Sequence, residues 1–73
     1  MFNTERILEF EDLKKQTENF WWAARSLRNG PHEGALQVLI ALLRIGKSQS
    51  LRYKAFRVLD ELGYLDRNAR ADQ

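Results

Sequence analysis

The sequence contains no cysteine and a single histidine, His32. These two shortages exclude disulfide staples, thiolate metal sites and any paired His–His or Cys–His metal set. No apolar run is long. The longest, Val38–Leu43, is six residues, where a membrane span needs roughly 20, so no membrane association is expected. The opening "MFNTERILEF" places acids where a secretory signal has a basic start and an apolar stretch, which predicts no export signal and a cytoplasmic location. Catalytic equipment is equally scarce. No serine–histidine–acid set can be assembled, and Asp60 and Glu61 are neighbours, about 100° apart on a helix and poorly placed to act together. We therefore expect no enzyme, no cofactor and no small-molecule substrate.

What is present is the composition of an ordinary globular domain, 44% hydrophobic and 30% charged over 73 residues, too apolar for intrinsic disorder. A chain this short sits near the lower limit for a self-sufficient core. Without disulfides or metal, the remaining stabiliser is self-association or a partner. The net charge of +2 is small but unevenly placed. Residues 1–24 carry five acids and three bases, a net −2; residues 25–59 carry seven bases and only Glu33, a net +6; residues 60–73 return to −2. A basic middle between acidic ends forms a patch if folding gathers those side chains.

One proline and four glycines leave few breaks, and "RNGP" at 28–31 and "IGKSQS" at 45–50 take most of them. Three helical segments result. The first runs from about Asn3, an N-cap with Phe2 and Ile7 as a hydrophobic staple, to Arg28. Its stripe is Phe10, Leu13, Thr17, Phe20, Ala24 and Leu27 at 3,4 spacing. Early acids (Glu5, Glu9, Glu11, Asp12) and late arginines (Arg25, Arg28) suit the helix dipole. The second begins at Pro31 or His32 and ends at Ile45; it is apolar nearly all round and has to be covered on more than one side. The third runs from Ser48 or Ser50 to Leu62 with a stripe at Leu51, Ala55, Val58, Leu59 and Leu62, and Gly63 supplies a left-handed stop behind which Tyr64 and Leu65 fold back. The expected fold is all-α: a small three-helix domain over residues 1–65, its long first helix packed on a two-helix hairpin, with 66–73 as a flexible tail.

Two motifs compete for attention. Residues 41–48, "ALLRIGKS", fit a loose phosphate-binding loop, but a real one lies between a strand and a helix and is rich in glycine. Here Leu42, Leu43, Arg44 and Ile45 continue a helical run. Gly46 is better placed as the end of one helix, and Ser48 or Ser50 as the cap of the next. The same glycine turn, followed by Arg52, Lys54 and Arg57, suggests a DNA-binding helix-turn-helix. Against it, Lys47 and Arg52 fall where that motif packs apolar side chains. "RVLDELGYLDR" at 57–67 resembles the end of a winged-helix recognition element over that stretch alone, and no second wing strand follows.

The aromatics carry the functional reading. On a helical wheel Phe20 lies on the first stripe, Trp21 on its edge and Trp22 about 160° from its centre, so the three cannot share one neighbour. Tyr53 and Phe56 fall outside the third stripe. Three helices with this much apolar surface predict an interface, most simply a homodimer or a stable complex with a protein partner. The expected function is a non-catalytic protein–protein interaction module of regulatory, adaptor or inhibitor type. Trp22, Tyr53 and Phe56 are its expected anchors, with Arg25 beside Trp22. A basic edge of Arg44, Lys47, Arg52, Lys54 and Arg57 would meet an acidic partner. The alternative is a small transcription or replication factor whose 44–57 segment neutralises nucleic-acid phosphates.

Overall fold

The computed structural model describes residues 3–65. Four α-helices follow in chain order: α1 (Thr4–Glu9), α2 (Leu13–Arg28), α3 (Glu33–Ile45) and α4 (Gln49–Glu61). No strand occurs among the described residues, and the all-α fold read from the periodicity is present. The staple residue Phe2 and the tail at 66–73 lie outside the described residues.

The first segment differs from the single helix expected over 3–28. It breaks at Phe10–Asp12. Asp12 is extended (φ −77°, ψ 170°) and its side chain accepts from the Lys15 N–H at 2.7 Å, capping α2. Asn3 caps α1 in the same way, accepting from the Arg6 N–H. The break turns the expected stripe inside out at its start. Phe10 is 81% exposed and Leu13 is also exposed, while Leu8 is buried in their place.

Tertiary structure supplies the reason. α3 is the central helix and packs against α1, α2 and α4. Its Ala35, Leu39, Ala41 and Leu42 are fully enclosed, and Leu36, Val38, Ile40, Leu43 and Ile45 are partly covered. A continuous first helix would leave one side of α3 bare. Folding the first six-residue helix back covers that side, at the cost of exposing Phe10. A salt bridge from Arg44 Nε to Glu5 at 2.8 Å joins α1 to the last turn of α3.

Gln16 holds the break. Its side chain is completely buried. Its Nε2 donates to the Leu8 carbonyl at 2.6 Å, and its Oε1 accepts from the Lys47 N–H at 2.9 Å. One amide thus ties the end of α1, the first turns of α2 and the α3–α4 turn together, satisfying backbone groups that the helix ends leave open.

The remaining punctuation follows the sequence. His32 caps α3 through Nδ1, which accepts from the Ala35 N–H, and Ser48 caps α4 through the Leu51 N–H. Gly63 adopts φ +83°, the Gly63 N–H donates to Asp60 and the Tyr64 N–H to Leu59, the paired bonds of a Schellman stop. Leu65 then packs on the core. Gly46 ends α3 for a different reason from the left-handed turn usual there. Its φ is −55°, open to any residue, but a Cβ would lie 2.5 Å from the Leu42 carbonyl oxygen and 3.0 Å from Arg52 Cγ. Gly46→Ala is expected to cost about 2 kcal/mol through overpacking. A lower urea midpoint with an unchanged m value would show it; an unchanged midpoint would mean the turn relaxes freely.

Candidate functional site

α2 and α4 both lean on α3 and touch each other only lightly. Between them lies an open groove of about 300 Å³. Buried Phe20 and Val58 form its bottom. Trp21, 55% exposed, stands on the α2 side and Tyr53, 57% exposed, on the α4 side. Arg28, Lys54, Arg57 and Glu61 complete the lining. A second hollow of about 290 Å³ shares Trp21 and Arg28 with the groove and extends it along α2 past Arg25 and Asn29.

Helical spacing places these groups. Trp21, Arg25 and Arg28 are separated by four and three residues, so they form one row on α2; Tyr53, Arg57 and Glu61 form an i, i+4, i+8 row on α4. Each aromatic is braced. The Trp21 ring meets Phe20 edge-on with centroids 5.2 Å apart. Tyr53 stacks on half-buried Phe56 at 6.2 Å and 27°. Arg57 donates to the Tyr53 hydroxyl at 3.3 Å, with its guanidinium carbon 5.9 Å from that ring's centroid. The hydrogen bond to Tyr53, and after it the nearby Glu61 carboxylate, raise the Arg57 pKa above its ordinary value.

Four cations surround the two hollows, Arg25, Arg28, Lys54 and Arg57, against the one carboxylate of Glu61. Glu61 lies 3.9 Å from Arg28 across the groove and 3.7 Å from Arg57 on its own helix. All three side chains are about half exposed, and pairs of that kind contribute little stability. An incoming carboxylate can exchange with Glu61 at small cost.

The expected site residues are distributed unequally. Tyr53, Lys54 and Arg57 line the groove and Arg25 its extension; Phe56 supports Tyr53 from behind. Trp22 stands apart from them. It packs edge-on against His32 at 5.4 Å, over the start of α3. The basic edge is not one free surface either. Arg44 is paired with Glu5, and the Arg52 guanidinium donates to the Gly46 carbonyl. Lys47 is exposed on the α3–α4 turn, and its backbone is held by Gln16. Trp21, Arg28 and Glu61 are the additions. The legible signal for them was the edge position of Trp21, because the margin of a buried stripe is where the rim of a groove between two helices falls.

Among the described residues, no helix is long and apolar enough to cross a membrane, and no cluster of His, Asp and Glu side chains is grouped to hold a metal ion. No family model, curated protein or solved structure matches the chain.

Proposed function

We propose that the chain is a non-catalytic protein–protein interaction module whose α2–α4 groove receives an aromatic or large apolar side chain flanked by carboxylates. One observation carries this reading: two exposed, braced aromatics face a groove ringed by four cations and one exchangeable carboxylate. The volume is at the bottom of the range for small-molecule pockets and suits a side chain presented by a macromolecule. Desolvation of Trp21 and Tyr53 would supply affinity, and the cations would set orientation and association rate. The same features support a regulatory or adaptor role, in which occupancy of the groove by one acidic partner is the output.

Nucleic acid is the weaker reading. Of the five residues of the basic edge, Arg44 and Arg52 are engaged within the chain, which thins the phosphate-binding surface.

Titration with a short peptide carrying one phenylalanine between glutamates separates the two readings, followed by the indole N–H resonances of Trp21 and Trp22. The Trp21 signal is expected to move and the Trp22 signal to stay. Glu61→Gln is expected to tighten binding about threefold by removing the competing carboxylate, an effect of the size of a surface ion pair. A lysine-flanked peptide is expected not to bind. Single-stranded DNA binding that displaces the acidic peptide and weakens steeply with salt would instead support the nucleic-acid reading.

A further inference from the structure

The strongest unexplained feature outside the groove is Phe10. It is the most exposed large hydrophobic residue among those described, at 81%, and it adds nothing to the core cluster. Ile7 and Leu13 beside it in sequence are also exposed. Within two residues of Phe10 on either side stand three acids, Glu9, Glu11 and Asp12, and no base.

The turn that carries Phe10 is held firmly. The Phe10 N–H donates to the Ile7 carbonyl and the Glu11 N–H to the Leu8 carbonyl. Glu11 accepts from the Asn19 side chain at 2.7 Å, Asp12 caps α2, and Gln16 ties Leu8 from below. A side chain displayed on a turn held in this way docks without the cost of ordering its backbone. The chain therefore displays, on a rigid elbow, an aromatic flanked by carboxylates, which is the chemistry its own groove is built to receive.

We propose that the groove's occupant is a second copy of this chain, which inserts Phe10 between Trp21 and Tyr53 and places Glu9, Glu11 and Asp12 against Arg28, Lys54 and Arg57. The inference rests on the groove reading above and names its partner. The order of the elements is compatible with a reciprocal contact. Phe10 precedes the start of α2, and the groove lies along that helix's second half. Two copies with their α2 helices antiparallel would bring each elbow toward the other's groove. The same contact is then made twice about a two-fold axis, and no surface is left to propagate a filament. The acidic beginning and basic middle of the sequence become the two halves of one reciprocal contact.

Analytical ultracentrifugation and the two indole resonances, both over a dilution series of the full chain from about 1 mM to 20 μM, test this. The wild type is expected to dimerise, with the Trp21 resonance moving on dilution and Trp22 fixed. Phe10→Ala, which removes no core contact, and separately Lys54→Glu with Arg57→Glu, are each expected to weaken self-association at least about tenfold, as loss of an anchor does. Mixing the two variants restores one of the two contacts, so a heterodimer is expected that is weaker than the wild-type dimer and stronger than either variant alone.

A dimer that survives Phe10→Ala with Trp21 unmoved overturns the proposal, because another face then holds it. A wild type that stays monomeric throughout also overturns it. The acid-flanked peptide tells that failure apart from failure of the groove reading. If the peptide still moves Trp21, the groove takes some other acidic protein; if it does not, both inferences fall.

Discussion

Gln16→Leu is expected to lower the unfolding free energy by about 3 kcal/mol, because it orphans the part-buried Lys47 N–H, at about 1–3 kcal/mol, and removes the shorter of the two hydrogen bonds to the Leu8 carbonyl, which keeps the Glu11 N–H at 3.2 Å, at about 1 kcal/mol more. For a domain of this size that corresponds to a drop in Tm on the order of 15 °C. It is a large share of the roughly 4–11 kcal/mol that small domains hold in total. The added apolar surface does not rescue the variant, since the leucine would face two backbone polar groups. Thermal and urea unfolding measure the loss. A variant as stable as the wild type would mean that water or a relaxed turn satisfies both groups.

Gln16→Glu separates the two bonds and has a distinctive sign. It keeps the acceptor for Lys47 but donates to Leu8 only when protonated. Burial and the facing carbonyl raise the folded-state pKa of the introduced carboxyl above its unfolded value near 4.3. The folded state then binds the proton more tightly than the unfolded state. Stability relative to wild type is therefore fullest below about pH 4 and declines as pH rises through the folded-state pKa. A deficit that is flat with pH, or that shrinks as pH rises, would show that position 16 does not face a buried carbonyl.

The position of Gln16 also explains what the sequence could and could not disclose. Helix ends were legible because their chemistry is local. Ser48, Gly63 and Asn3 act on backbone groups within a few residues, and the all-round apolarity of Val38–Leu43 correctly required cover on several sides. The break at Phe10–Asp12 was not legible. Phe10, Leu13, Thr17 and Phe20 keep helical spacing straight through it, and Asp12 reads equally well as an early acid in a long helix. What decides for the break is tertiary: the bare side of α3, and a buried amide whose partners lie 8 and 31 residues away. Once α2 starts at Leu13, its inner row runs through Gln16, Phe20, Ala23, Ala24 and Leu27. Thr17 leaves that row and donates its hydroxyl to the Leu13 carbonyl. The groove was half legible for the same reason. Tyr53, Lys54 and Arg57 could be placed outside the α4 stripe by counting, but whether Trp21 or Trp22 joins them depends on how α2 is rotated against α3. That rotation follows from the register set at Gln16.

Leu8→Ala and Phe10→Ala make that register an experiment. Leu8 is fully buried and Phe10 stands in solvent, so Leu8→Ala is expected to cost about 3 kcal/mol through lost burial and a cavity. Phe10→Ala should stay within about 0.5 kcal/mol of the wild type under dilute conditions, as surface changes do. A continuous helix over 3–28 predicts the opposite order. There Phe10 would lie on the core stripe, and Leu8, about 200° from it by helical periodicity, would face water. Hydrogen exchange adds a readout that total stability does not contain. Leu8, buried Thr4 and the Glu5–Arg44 pair attach α1 to the rest of the chain, together with the bond from Gln16. Loss of Leu8 should therefore raise exchange in α1 and at the Lys47 amide well before it does so in the centre of α3, as a local opening. Equal acceleration across all four helices would mean that α1 is not a separately attached element, and that the covering of α3 has been placed on the wrong segment.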